Sequence, residues 1–111
     1  MPEDLNHHGF LFGGRMLQWV DEYAYIAASL DFPGCNLVTV ALDHVEFRRS
    51  VLQGTVLRFL VQQARVGATS VQYSVNVFKA GEDDPQPIFS TGVTYVRVDD
   101  DGAKVALPHT T

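Results

Sequence analysis

One stretch of the chain has the periodicity of an α-helix, and it reads Gly13-Gly14-Arg15-Met16-Leu17-Gln18-Trp19-Val20-Asp21-Glu22-Tyr23-Ala24-Tyr25-Ile26-Ala27-Ala28-Ser29-Leu30. Projected at about 100° per residue, its apolar side chains form one broad side that includes three alanines. Small residues on that side let a second layer approach closely. We therefore expect a mostly enclosed helix that begins at Gly13-Gly14 and ends near Leu30, where Asp31-Phe32-Pro33-Gly34 follows.

Beyond Cys35 the sequence changes to β-branched and aromatic residues that alternate with polar ones, as in half-buried strands. Four segments carry this pattern, at 37–47, 56–66, 69–79 and 88–98. Their connections are short enough for an antiparallel meander. The chain is therefore predicted to be α+β, a single domain over 1–111 in which an antiparallel sheet wraps around one long central helix. Because long apolar strands are poor exposed edges, we also expect a homo-oligomer.

Composition narrows the class of protein. The 111 residues suit one domain, and usage of 46% hydrophobic and 19% charged residues is ordinary for a globular protein. No apolar run approaches the roughly 18 residues of a membrane span, and no signal peptide is recognisable, so a cytoplasmic protein without a membrane partner is expected. Cys35 is the only cysteine, which excludes an internal disulfide and a cysteine-based zinc cluster.

The charge pattern argues against nucleic acid as a partner. The net charge is -5, and the acidic residues are spread along the chain. Among the eight basic residues, Arg48-Arg49 is the only adjacent pair. A small polyanionic ligand could find local positive charge there.

Gly13-Gly14 at a helix start would expose unpaired backbone N–H groups at the positive end of the helix dipole. Such groups form an oxyanion site, which stabilises the tetrahedral state of acyl transfer by roughly 3 kcal/mol per donor. Asp21 lies two turns further on, at the border of the buried side. A partly desolvated carboxylate there is a candidate general base, and a solvated helix charge is the alternative.

The polar residues that precede Gly13-Gly14 indicate a function less clearly than the glycines do. On spacing alone, Asn6 is better interpreted as a turn or cap residue than as a site residue. His7 and His8 invite a metal or general-base interpretation, but adjacent histidines in an extended segment point apart and no third ligand is close in sequence. We predict no metal site.

A longer motif contains these residues: Pro2, Asn6, Gly9, Phe12, Gly13 and Gly14, followed seven residues later by Asp21. In this register and spacing it resembles the signature of acyl-CoA hydrolases of the hot-dog fold. The similarity continues more loosely through Val38-Thr39-Val40-Ala41, Phe47 with the basic pair after it, Val66-Gly67 and Val98-Asp99. The resemblance covers nearly the whole chain.

The resemblance implies a hot-dog fold with four or five strands and active sites at a dimer interface. It implies hydrolysis of acyl-CoA to free acid and CoA, with Asp21 as general base or as acylated nucleophile and Asn6 of the partner subunit positioning water or carbonyl. The carbonyl would be polarised at Gly13-Gly14, beside Phe12.

The same resemblance places the CoA phosphates near Arg48, Arg49 and the turn formed by Gly67, Ala68, Thr69 and Ser70. CoA thioester is the substrate and no cofactor is implied. Assembly of dimers into tetramers or hexamers stays open. Two other functions stay open as well, a non-catalytic acyl-CoA binding module and a hot-dog hydroxyacyl dehydratase that uses His7 or His8.

Overall fold

The structure is a computed structural model, and it describes residues 2–49, 54–81 and 86–108, with side chains from residue 14 onwards. Helix α1 spans Pro2–Asp31. The predicted start at Gly13-Gly14 is therefore wrong, because the glycine pair lies inside the helix. Proline suits the first helical turn, and Glu3 and Asp4 put negative charge at the positive end of the dipole. The two glycines weaken the helix by about 1 kcal/mol each without ending it.

Four strands follow at the predicted places, namely β1 Leu37–Phe47, β2 Leu57–Val66, β3 Ser70–Lys79 and β4 Phe89–Arg97. They form one antiparallel sheet in the order β1-β4-β3-β2. The predicted meander is correct for β2, β3 and β4, but β1 pairs with β4. The connection over 48–56 must cross about three strand spacings, or about 14 Å, which nine residues reach easily.

The core lies between the helix and one face of the sheet. Met16, Val20, Ala24 and Ala28 recur every four residues along α1 and are fully buried. They pack with the inward residues of the two central strands, which are Val71, Tyr73, Val75, Val77, Phe89, Thr91, Val93 and Tyr95. The alternating burial of β3 confirms that it is a half-buried strand, as its alternating sequence predicts.

One sheet covers only one side of the helix, so the helix is less enclosed than predicted. Ile26 and Leu30 are 53% and 76% exposed, and Tyr23 and Tyr25 are each 44% exposed. The rings of Trp19 and Tyr23 pack against the ring of Phe59 on β2, whereas the ring of Tyr25 packs against that of Tyr95 on β4. The two sides of α1 therefore face opposite halves of the sheet.

Candidate functional site

Asp21 lies where the helix meets the edge strand β1. Its side chain is half-buried, as its predicted position at the border of the apolar side requires. The hydroxyl of Thr39 on β1 donates to Asp21 Oδ1 at 2.9 Å. The hydroxyl of Tyr95 on β4 lies 3.1 Å from the same oxygen and 3.0 Å from the backbone carbonyl oxygen of Asp21. Side chains from two strands, β1 and β4, thus contact the same carboxylate oxygen of the helix residue Asp21.

The Tyr95 side chain is fully buried. Burial, and then the nearby Asp21 carboxylate, raise the pKa of Tyr95 well above its usual value. The phenol therefore stays protonated at physiological pH and remains a hydrogen-bond donor.

Neither Thr39 nor Tyr95 was among the sequence-predicted site residues. Both face the helix because they are direct partners in the β1–β4 ladder. One signal was present in the sequence: a tyrosine on the buried face of a strand needs a partner for its hydroxyl. The strand order that brings Tyr95 to Asp21 was the missing information.

The N-terminal part of the predicted site is only partly described. The structure describes only the backbone of five residues considered from the sequence, and it places that backbone in α1: Asn6, His7, His8, Phe12 and Gly13. The side chains of these residues are outside the described part of the chain. Gly13-Gly14 lies inside α1 and not at its start, so a role of these glycines in binding the carbonyl oxygen stays a prediction.

Arg48 follows β1 directly and is held to the neighbouring strand end. Its guanidinium donates to Ser90 Oγ at 2.8 Å and to the Pro87 carbonyl oxygen at 3.3 Å. It also lies 3.4 Å from the Glu46 carboxylate. Arg48 and Arg49 therefore mark the end of the sheet at which β1 finishes.

The predicted turn over 67–70 is well defined. The Gly67 N–H donates to the Ser70 carbonyl oxygen at 2.7 Å. The carbonyl oxygens of Ala68 and Thr69 accept from the N–H groups of Leu107 and Arg97, at 2.8 and 2.9 Å. The chain near its C-terminus thus fixes this turn.

Within one chain, the turn and the arginine pair lie at opposite ends of the sheet. Phe47 pairs with Phe89, and Ser70 pairs with Val96. The seven residues between these positions on β4 correspond to about 23 Å of strand. A single chain does not bring the two predicted phosphate contacts together.

The outer face of the sheet carries a shallow polar depression of about 250 Å³. At its floor Gln72 Nε2 donates to the Asp43 carboxylate at 3.3 and 3.4 Å, across Gly92. A Cβ on Gly92 would lie 2.6 Å from Asp43 Oδ1 and 3.1 Å from Gln72 Nε2, so a larger residue at this position would displace the Asp43–Gln72 pair. The depression contains none of the predicted site residues.

Among the residues whose side chains the structure describes, no group of three or more His, Cys, Asp or Glu is placed to hold a metal ion. Cys35 has a half-buried thiol. Among the described residues, no helix is both long and apolar enough to cross a membrane.

A long helix packed on one face of a four-stranded antiparallel sheet is the architecture of the predicted hot-dog fold, and the chain superposes on a solved hot-dog structure. The family model of the thioesterase superfamily matches residues 8–86, and the chain belongs to that superfamily.

The relatives have consistent names. The acyl-CoA thioester hydrolase YciA of Escherichia coli is 33% identical to this chain, over 97% of the chain and 85% of the relative. An uncharacterized acyl-CoA thioester hydrolase of Bacillus subtilis, YkhA, is 30% identical over 96% of the chain. The chain spans 63% of that relative's length.

Solved structures agree on the fold. Cj0915 of Campylobacter jejuni, described as a hexameric hotdog fold thioesterase, superposes with a TM-score of 0.73 at 30% identity. The match covers 86% of this chain and 75% of that one.

Proposed function

We propose that this chain hydrolyses acyl-CoA thioesters to the free acid and CoA, with Asp21 as the general base and without a metal or organic cofactor. The observation that carries the proposal is the half-buried Asp21 carboxylate, anchored at one oxygen by Thr39 and Tyr95. A fixed carboxylate at the rim of an apolar layer suits proton abstraction from a water molecule. The names of the family relatives support the same activity.

The reaction needs only this base and a bound water. Asp21 accepts a proton as the water oxygen attacks the thioester carbonyl carbon and forms a tetrahedral intermediate. The intermediate collapses with cleavage of the C–S bond, and the proton passes from Asp21 to the departing thiolate. Asp21 is then ready for the next turnover.

An alternative route has Asp21 itself attack the carbonyl carbon and expel the thiolate, giving an acyl anhydride that water hydrolyses. The routes differ in whether Asp21 carries the acyl group. Mass spectrometry of a rapidly quenched reaction separates them, because an acyl mass on the peptide that contains Asp21 would replace the general-base route by the anhydride route.

We place the active site at the interface of a homodimer. β1 is an edge strand of eleven residues. Its large apolar side chains are exposed in the single chain: Val38 40%, Val40 54%, Leu42 38%, Val45 48% and Phe47 40%. Pairing of this edge with a second copy would cover them, and Asp21 is bonded to this same strand. Asn6 of the partner subunit would then help to position the water or the carbonyl.

Dimer formation also accounts for the separated phosphate contacts. In a two-fold antiparallel pairing, the end of β1 in one subunit lies opposite the beginning of β1 in the other. The partner subunit's Arg48 and the partner subunit's Arg49 would then lie at the end of the sheet that carries the 67–70 turn. The phosphates of CoA are proposed to bind between them.

Substitution of Asp21 tests the proposal directly. Purified protein is incubated with acyl-CoAs of several chain lengths, and released CoA is followed with a thiol reagent. We expect Asp21→Asn to lower kcat at least about a hundredfold, the usual contribution of a general base. Asp31→Asn is the matched control, because Asp31 is also a helix carboxylate that accepts a buried tyrosine hydroxyl, here Tyr73 at 2.7 Å.

Undiminished turnover by Asp21→Asn would contradict the assignment of Asp21. Saturable CoA binding by the unaltered protein without any thiol release would contradict hydrolysis and indicate an acyl-CoA binding module.

A further inference from the structure

The two carboxylate oxygens of Asp21 have different surroundings. Oδ1 accepts from Thr39 Oγ1 at 2.9 Å and lies 3.1 Å from the Tyr95 hydroxyl oxygen. Neither hydroxyl is bonded to Oδ2. A carboxylate can rotate about its Cβ–Cγ bond over a broad range. Two donors on one oxygen restrict that rotation and leave Oδ2 clear of both hydroxyls.

Tyr95 is the more rigid of the two donors. Its ring is fully buried between Tyr73 and Tyr25, with centroid distances of 6.2 and 6.0 Å. The hydroxyl also lies 3.0 Å from the Asp21 backbone carbonyl oxygen, so it contacts the side chain and the main chain of the same residue. Thr39, by contrast, is exposed on the edge strand.

We propose that Tyr95 is a positioning residue for hydrolysis: with Thr39 it fixes Asp21 Oδ1, so that Oδ2 is the oxygen that takes the proton from water. This inference rests on the proposed function of Asp21 as the base. Tyr95 itself is buried beneath Asp21 and acts only through it. Correct orientation of the base affects the transition state far more than the binding of CoA.

Tyr73 provides a matched comparison on the neighbouring strand. It is equally buried, its ring packs on the ring of Tyr95, and its hydroxyl donates to an aspartate of α1. That aspartate is Asp31, ten residues beyond Asp21 and so about 15 Å further along the helix. Tyr73→Phe and Tyr95→Phe thus remove the same kind of hydrogen bond, one far from Asp21 and one at it.

The test compares kcat and KM for these two variants of the whole protein on one acyl-CoA. We expect Tyr95→Phe to lower kcat about tenfold, the effect of one charge-assisted hydrogen bond, with KM within about twofold. Tyr73→Phe should lose similar stability and keep its kcat. Equal kcat values for Tyr95→Phe and the unaltered protein would overturn the inference.

A double substitution separates positioning from a general structural effect. If Tyr95 acts through Asp21, adding Tyr95→Phe to Asp21→Asn leaves the residual kcat unchanged, whereas a further tenfold loss contradicts the inference. Failure of Asp21→Asn to lower kcat would instead overturn the proposed function.

Thr39→Val covers the case in which Tyr95→Phe does not fold, because Thr39 lies outside the core of the single chain. Since β1 is also the proposed subunit edge, the light-scattering mass of this variant must match that of the unaltered protein. This variant removes the other donor to Oδ1 and should also lower kcat, while Thr39→Ser, which keeps the hydroxyl, should restore it. An undiminished kcat in Thr39→Val would contradict the anchoring of Oδ1.

Discussion

Tyr73 and Tyr95 both turn their hydroxyl groups from the buried layer toward aspartates of α1. Burial raises the pKa of each phenol well above the ordinary value of 10.0, and the aspartate partner adds to the shift. The folded state therefore binds two protons more tightly than the unfolded state does. Because of this tighter proton binding, the stability of the folded protein depends on pH in the alkaline range.

The free energy of unfolding should fall as pH rises above 10. A folded-state pKa above the unfolded value contributes stability that is complete below the unfolded pKa and is lost as pH rises through the folded one. Each tyrosine then contributes a slope of up to about 1.4 kcal/mol per pH unit. Urea titrations at pH 8 and pH 11 measure the difference in the free energy of unfolding. The loss should be smaller in Tyr95→Phe, and a stability independent of pH in this range would contradict the prediction.

For single residues, the sequence predicted where a side chain lies on its own helix better than it predicted which distant side chains contact it. The border position of Asp21 follows from helical periodicity, and the structure confirms it. Thr39 and Tyr95 are 18 and 74 residues from Asp21 in the chain. They meet it only through the pairing of β1 with β4, which no local pattern encodes.

Among the elements, the helix was predicted well at its C-terminus and wrongly at its N-terminus. Its end near Leu30 has clear signals in Pro33 and Gly34. Its start was predicted at Gly13-Gly14 because the apolar periodicity of the helix begins there, yet Pro2 and the two acidic residues after it are stronger start signals.

Substitution of Gly14 tests whether this part of the helix is continuous in solution. A Cβ at Gly14 meets nothing within 4 Å. In a helix interior, Gly14→Ala should therefore raise the free energy of unfolding by about 0.5–1 kcal/mol, as measured by urea denaturation. A destabilised Gly14→Ala variant would indicate that the glycine pair adopts another backbone conformation.

The strands themselves were predicted within a residue or two, because alternation and β-branched residues mark them clearly. The order of the strands in the sheet was not predicted correctly, because β1 pairs with β4. A nine-residue connection between β1 and β2 permits both neighbouring and distant placement, so a local pattern cannot choose between them. Pairing of β1 with the last strand satisfies β4 on both sides and leaves β1 at the edge.

For the whole molecule, the exposed edge strand predicts that a charge on β1 separates subunits. Val40→Lys, at a side chain 54% exposed in the single chain, should shift light-scattering mass toward the monomer and lower turnover with it. Val56→Lys is the control, because Val56 is 69% exposed but lies outside β1. Val40→Lys with unchanged mass and turnover would contradict the proposed interface.

The ladder of β1 with β4 is irregular at two places, between Thr39 and Ala41 and between Asp43 and Glu46. His44, in the second irregularity, has a positive φ of 53°. A strand bent twice offers a poor template to a flat, extended peptide, whereas a second copy carries the same bends. The two irregularities therefore make β1 a poor template for the amyloid-like stacking of unrelated extended chains.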